Sequence, residues 1–341
     1  HATQENMSQA LLESAERQVA SYKLAQRPHA PRRKPALSHH LRASLGLYLL
    51  IAPTFILLAI FNVVPFVSAF SKSFYEFEIG GSPTFVSFQN YHDYLHDYTF
   101  AESFGNMIFL TAFAVVMVII VPLTVAKLIF SLSSQRASYV YRILFLMPIV
   151  VPGVAVQLIW QQLIYADVGL VNQLMRTIAS WLQMAPDAFT RGWLSDPRVV
   201  LLAVACVGFP FCNGIQILIY YAGLTSIPES VHEAAILDGA SGIKKFILVD
   251  VPLVMSQIKL LVMLTIIGGV QAFEGILILT RGGPGFKSMV PGLWMYFNAF
   301  SFQKFGYACA IGVVLFVVIM IMTLINLKYF RSAEDLTATS K

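Results

Sequence analysis

The sequence predicts an all-α, polytopic membrane protein with six transmembrane helices, a short helix on the cytoplasmic face, and both termini in the cytoplasm. Three observations carry that fold class. Of the 341 residues, 57% are hydrophobic and 12% charged, with a mean hydropathy of +0.69; a soluble domain carries about 25% charged residues. Too little charge remains to cover a water-facing surface. The apolar residues gather in blocks of roughly twenty or more, the length that crosses about 30 Å of hydrocarbon. Lysine and arginine are spread unevenly over the segments joining those blocks, which gives the chain a direction of threading.

Residues 1–44 form a polar tail that ends in Arg32-Arg33-Lys34 and Arg42. Between about Ser8 and Leu24, the residues Leu11, Leu12, Ala15, Val19 and Tyr22 have helical spacing. That pattern fits an amphipathic helix on a membrane or partner surface, and equally a disordered cytoplasmic tail. The first apolar run lies far from the start and is too long for a signal peptide. His1 stands where Met is expected, and Met7 is a candidate natural start. The six spans fall at about 45–70, 104–130, 138–164, 198–222, 253–279 and 305–330, within a transmembrane domain of 45–330, and 331–341 is a cytoplasmic C-terminal tail. Pro53, Pro65, Pro122, Pro148, Pro152 and Pro210 lie in or beside spans. Neighbouring helices in a bundle satisfy the carbonyls that such prolines free, so these are read as packing accommodations before they are read as kinks at a pathway.

Orientation follows from the first two joining segments. The tail before the first span carries Arg17, Lys23, Arg27, Arg32, Arg33, Lys34 and Arg42, whereas 71–103 carries only Lys72, with Glu76, Glu78, Asp93, Asp97 and Glu102. The N-terminus is therefore cytoplasmic, and six crossings return the C-terminus there. The segment 280–304, expected outside, holds Arg281, Lys287 and Lys304 and discriminates less well. The net charge of +5 is thus explained by topology and not by nucleic acid. Cys206, Cys212 and Cys309 lie in apolar stretches without paired spacing and read as small packing residues.

Between the fourth and fifth spans, Ile227-Pro-Glu-Ser-Val-His-Glu233-Ala-Ala-Ile-Leu-Asp-Gly239-Ala runs on to Val249-Asp-Val-Pro252. Pro228 can open a helix and Ser230 can cap it, while Glu229 and Glu233 suit its positive N-terminal end. Ala234 and Ala235 leave a low-profile surface, and Gly239 permits a sharp exit or a close backbone approach. A short docking helix over about 229–241 is the expectation. Glu233, Ala234, Ala235 and Gly239, followed by Val249, Val251 and Pro252, resemble the signature loop of ABC importer permease subunits. Val249 and Val251 stand where Ile and Leu are commoner. The resemblance implies that this helix couples the membrane subunit to a groove in an ATPase subunit.

Flanking segments resemble the carbohydrate-uptake branch of that family, which takes oligosaccharides, related sugars and glycerol phosphate. They are Ala222-Gly-Leu-Thr-Ser-Ile-Pro228, Leu279-Thr-Arg-Gly-Gly-Pro284, Phe305-Gly-Tyr-Ala308 and Phe85-Val-Ser-Phe-Gln-Asn-Tyr91. The likeness covers roughly 45–330 and is to the larger maltose-permease-type or glycerol-phosphate-type subunit, without the former's extra N-terminal spans and large external insertion. It implies a bacterial inner-membrane subunit, paired with a second permease subunit as a heterodimer, with two ATPase subunits and an external solute-binding protein. It implies alternating access for a sugar-like solute, with ATP and Mg²⁺ on the ATPase subunits and no cofactor on this chain.

The candidate solute pathway lies on the fourth and fifth spans. Gly208-Phe-Pro210-Phe211-Cys212-Asn213-Gly214-Ile-Gln216 mixes helix breakers with polar groups, and unwound backbone at mid-membrane is a common way to present donors and acceptors to solute. The competing reading is a kink filled by packing. On the fifth span Thr265, Gly269, Gln271, Ala272 and Glu274 are candidates, with Phe273 as an apolar sugar platform. Gln271 and Glu274 are three apart, hence on neighbouring parts of one helix face. An ionisable residue in a span often lines a water-filled cavity, although Glu274 near the outer end is equally read as simply solvated. His92 and His96, with Asp93 and Asp97, lack a third convincing ligand and are read as solvated, so no metal site is expected. Gly282-Gly-Pro-Gly285 lacks the Gly-Lys-Ser/Thr ending of a phosphate loop. Nothing forms a nucleophile–base–orienter set, so the chain is not expected to be an enzyme. The competing class is a stand-alone secondary transporter or channel, for which coupling-ion sites, inverted repeats and a pore charge pattern are lacking.

Overall fold

The structure, a computed structural model, describes residues 37–77 and 80–329. The expected surface helix near Ser8–Leu24, Glu78 and the C-terminal tail lie outside the described residues. The chain divides into two compact units, up to Val64 and from Pro65 onward. In the first, helix α1 (Leu37–Leu58) contains Pro53 and runs into a π-helical turn, Ala59–Val63. The helical stretch Tyr48–Lys72 is long and apolar enough to cross a membrane. Tyr48, Leu50, Phe55 and Phe61 all stand exposed, as lipid-facing side chains would.

After α2 (Val64–Lys72), a two-stranded hairpin pairs Tyr75 with Phe85 and Glu76 with Thr84, and α3 (Gln89–Leu95) follows. Asn90 on α3 donates to the carbonyls of Ser73 and Tyr75 at 2.8 and 3.1 Å, fixing the hairpin. Helix α4 (Phe100–Phe130) has 31 residues and so is about 46 Å long, more than the hydrocarbon thickness requires. It is the central element. Helices α9 (Gly214–Thr225) and α13 (Met255–Gln271) both pack on it.

Among the described residues, only Tyr48–Lys72, Phe100–Phe130 and Phe305–Lys328 are continuous helices long and apolar enough to span; two bent pairs raise the number to five. The first pair is α5 (Gln135–Leu146), with the 3₁₀ turn Met147–Val150, and α6 (Gly153–Ile159), with the π turn Trp160–Ile164, bent by 88°. Pro152 cannot continue a helix and stands at the break. The second pair is α11 (Gly242–Lys245), the π turn Phe246–Asp250 and α12 (Val251–Leu253), followed by α13 at a bend of 71°. After α7 (Leu170–Trp181), the predicted fourth span is two short helices, α8 (Val200–Ala205) and α9, around an irregular stretch.

The expected outer loop 280–304 is not a simple loop. Helix α15 (Pro291–Tyr296) buries Pro291, Gly292, Leu293 and Trp294, and the π turn Phe297–Ser301 follows. The apolar run from Met289 to Trp294 needs cover, and α16 (Phe305–Tyr329) provides it. Lys287, a basic residue that confused the charge pattern, pairs with Glu102 at 2.7 Å. Two cores lie along α4. Met107 belongs to one with Tyr94, Leu293, Trp294 and Ile311, while Val118, Leu123 and Ala126 belong to another with Ile217, Tyr220 and Leu261.

Candidate functional site

Beside the second of these cores, with which it shares Val118, lies a cavity of about 800 Å³. Ala114, Met117 and Val118 of α4 form one wall, and Phe145, Pro148 and Trp160 of the first bent pair form another. The irregular stretch after α8 closes it with Gly208, Phe209, Pro210, Phe211, Cys212 and Asn213; Gln216 of α9 and Thr265 of α13 complete the lining. The wall is therefore mainly apolar and aromatic with a few polar groups, the usual make-up of a small-molecule site.

The irregular stretch has a local cause. Gly208 has φ +88° and Phe211 φ +63°, so the backbone turns twice into the left-handed region, and Pro210 between them has no amide to donate. Asn213 then restarts the helix. Its side-chain oxygen accepts from the amides of Ile215 and Gln216 at 3.1 and 3.3 Å, an N-cap. Phe113 and Phe209 rings meet the Phe211 ring edge-on. Among the described residues, neither the Gln216 side-chain carboxamide nor the Thr265 hydroxyl has a hydrogen-bond partner.

The fifth-span candidates do not stay together. Helix α13 ends at Gln271, Ala272 is extended (ψ 123°), and α14 (Glu274–Leu279) begins afresh. Gln271 and Glu274 are thus not on one helix face, because the three-residue spacing rule needs an unbroken helix. Gln271 lines a separate cavity of about 610 Å³ with Phe273 and Tyr296, whose rings stack at 5.5 Å. Ala272 and Glu274 are exposed and line neither cavity. Gly269 faces α4: a side chain there would meet Thr111. Trp160 and Phe145 were not singled out from sequence, although an indole inside an apolar run beside Gln157, Gln161 and Gln162 was a usable signal. Gln161 spends its amide on the carbonyls of Ile278 and Leu279, tying the first bent pair to α14.

At the far end of α4, helix α10 (Glu229–Leu237) follows Pro228, with Glu229 in its first turn. Ser230 does not cap it. Pro228 occupies the N-cap position without a side-chain bond, which leaves Ser230 inside the first turn. Glu233 and Ala234 are exposed and Ala235 is buried. The helix stops at Leu237, short of the expected 241, because Gly239 turns left-handed at φ +77° with open space where a side chain would stand. The expected sharp exit at Gly239 is what the backbone adopts.

At the hairpin end, the carboxylate of Asp97 accepts from the Thr99 amide and hydroxyl at 2.8 Å each, from Tyr307 at 2.7 Å and from the Trp294 indole at 3.2 Å. Burial alone would raise its pKa, but these donors together hold it below the ordinary carboxylate value. His92 of α3 and His96 at its C-terminal cap stack at 4.2 Å, with His96 Nδ1 2.8 Å from the His92 carbonyl.

A bundle of membrane-length helices, a cavity walled by broken segments and an exposed helix beyond the bundle define a membrane transport protein. Residues 123–332 match the family described as binding-protein-dependent transport system inner membrane component. The chain belongs to that family: it is a multi-pass inner-membrane permease subunit of a binding-protein-dependent importer, and the family is one of transport permeases and not of enzymes. It is 27% identical to the arabinooligosaccharides transport system permease protein AraP of Bacillus subtilis, over 82% of this chain and 87% of that protein. It is 27% identical to the sulfoquinovosyl glycerol transport system permease protein SmoG of Agrobacterium fabrum, over 84% and 90%. A chain in the crystal structure of a bacterial alginate ABC transporter, in complex with an alginate pentasaccharide-bound periplasmic protein, has the same fold: TM-score 0.70, 18% identity, 85% of this chain and 95% of that one.

Proposed function

We propose that this permease subunit carries a carbohydrate or a related polyol or glycerol phosphate, and that the 800 Å³ cavity is its half of the path. The observation that carries the reading is the pairing of Trp160 and Phe145 with the unpartnered Gln216 side-chain carboxamide and Thr265 hydroxyl in one cavity. Aromatic faces suit the C–H surfaces of a sugar, and amides and hydroxyls suit its hydroxyls. The solutes named for AraP, SmoG and the alginate transporter support the same class.

In this reading the chain crosses six times, the interrupted segment from Val200 to Thr225 being the sixth span beside the two bent pairs and three long helices, with both termini in the cytoplasm. Helix α10 docks on one of two separate ATPase subunits through Glu233, Ala234, Ala235 and Gly239. A second permease subunit forms the other half of the path, and an external binding protein delivers solute. ATP and Mg²⁺ belong to the ATPase subunits, and this chain holds no cofactor. Uphill movement requires that the outward and inward states differ in affinity for solute.

The test is uptake by the complete importer in proteoliposomes, with oligosaccharides, polyols, glycerol phosphate and amino acids offered in turn. Gln216→Ala and Thr265→Ala should each raise the half-saturating concentration of a carbohydrate roughly five- to a hundred-fold, the loss of about 1–3 kcal/mol expected for a buried hydrogen bond. Uptake confined to amino acids, or unchanged kinetics in both variants, would refute the proposal. Cysteines placed at His92 and Phe286 should be labelled from outside sealed cells, and one at Ser230 should not; the reverse pattern would overturn the topology.

A further inference from the structure

Helix α10 is joined through the chain to α9 on one side and, through Gly242–Leu253, to α13 on the other. It has no covalent neighbour in α4, although α4 supplies Ala114, Met117 and Val118 to the cavity wall. A cluster of side chains spans that gap. Asp250, in the π turn Phe246–Asp250, is fully buried. Its Oδ2 lies 2.6 Å from Lys127 Nζ in the last turn of α4. Its Oδ1 lies 3.7 Å from Nδ1 of His232, a residue of α10 itself. Phe130 closes the cluster, with its ring 5.1 Å from the Lys127 ammonium and 5.9 Å from the His232 ring.

We propose that Lys127, Asp250 and His232 form the link by which movement of α10 reaches α4 and, through it, the cavity wall. Two features favour this over a merely stabilising contact. A fully buried carboxylate is costly to desolvate and is held in place only by its charged partner, so Asp250 cannot slide away from Lys127 without a large penalty. Its second oxygen faces His232, and neither imidazole nitrogen of His232 has any hydrogen-bond partner among the described residues. The carboxylate is thus fixed to α4 on one side and exposed to the displacement of α10 on the other. All three residues are positioning residues: they touch neither solute nor nucleotide. The inference rests on the importer reading above and specifies how its docking helix acts on its cavity.

The experiment uses the complete importer, purified with its ATPase subunits and reconstituted with its binding protein, and reads solute taken up per ATP hydrolysed. Lys127→Met, Asp250→Asn and the apolar double variant Lys127→Met/Asp250→Leu are compared with the exchanged pair Lys127→Asp/Asp250→Lys. The two single variants are expected to lose at least about tenfold in uptake per ATP while ATP hydrolysis continues. Where a stranded charge prevents a single variant from assembling, the apolar double carries the test, because replacing a whole buried pair by apolar groups is often neutral for folding. It should assemble and remain uncoupled, and the exchanged pair should restore at least about half of the coupling. Full coupling in the apolar double, or in both single variants, would overturn the link and leave the pair a structural contact. A wild-type complex without ATP-driven uptake would instead remove the importer reading itself, a result these variants do not produce.

Discussion

Helices α4 and α13 meet beside the cavity, and the closeness of that meeting can be tested at adjacent glycines. A methyl group at Gly269 would lie 2.7 Å from Thr111 Oγ1 and 2.9 Å from its Cγ2, short of ordinary 3.4 Å contact by 0.7 and 0.5 Å. Thr111 is 3% exposed and β-branched, so its side chain has little freedom to swing aside. A methyl group at Gly268 would meet nothing within 4 Å. Both substitutions to alanine gain the same helix propensity, about 0.5–1 kcal/mol. Their difference therefore isolates the clash. Forcing extra volume into a packed interface costs about 1–3 kcal/mol, so Gly269→Ala should be less stable than Gly268→Ala by that amount. The assay is the fraction of SDS that unfolds the purified protein in mixed detergent micelles. Adding Thr111→Ala removes both offending atoms and leaves its Cβ at 3.2 Å. The double variant should recover most of the loss, with a favourable coupling of about 1 kcal/mol or more in the mutant cycle. Equal stability of Gly268→Ala and Gly269→Ala, or strict additivity in the cycle, would show that the helices are not this close.

Three further outcomes follow from the same geometry. Asn213→Ala removes the N-cap of α9 and should cost about 0.5–2 kcal/mol, and Asn213→Ser should restore most of it; equal stability of wild type and Asn213→Ala in the same assay would count against the cap. Asp97→Ala strands the Trp294 and Tyr307 donors and should lower the thermal midpoint of the hairpin end, read by Trp294 fluorescence. Because the Asp97 pKa is lowered in the fold, its contribution is present above the unfolded value near pH 4 and fades as pH falls through the folded value; wild type should therefore converge on Asp97→Asn only in acid, and a constant gap across pH would contradict this. Glu233→Lys and Gly239→Asp should each uncouple ATP hydrolysis from uptake, the second by straining a left-handed backbone position at φ +77° and by intruding on a docked surface; normal uptake per ATP in both would remove α10 from the coupling path.

The lipid solvent, the helical class and the short helix α10 were legible in the sequence because each is local. Twenty apolar residues in a row state their solvent whatever they pack against. Pro228 and Gly239 bracket α10 because one lacks an amide and the other tolerates positive φ. The break around Gly208–Asn213 was legible for the same reason. The end of α13 at Gln271 was not, since no proline or glycine separates it from Glu274.

What the chain pattern could not supply is the grouping of polar residues. Spacing assigns residues to a common face only while one helix lasts, and the fifth span is interrupted at Ala272, which parts Gln271 from Glu274 and leaves Thr265 with the fourth-span residues instead. Trp160 and Phe145 join that cavity only because the third span bends by 88°. The burial of Asp250 against Lys127 and His232 is likewise invisible along the chain. Sequence alone determined that this is a helical membrane permease with a short helix between Pro228 and Gly239, through interactions between near neighbours. Tertiary structure alone decided which polar groups share the cavity and which charges are buried beside α10, because those partners come from separate helices whose breaks and contacts set the distances.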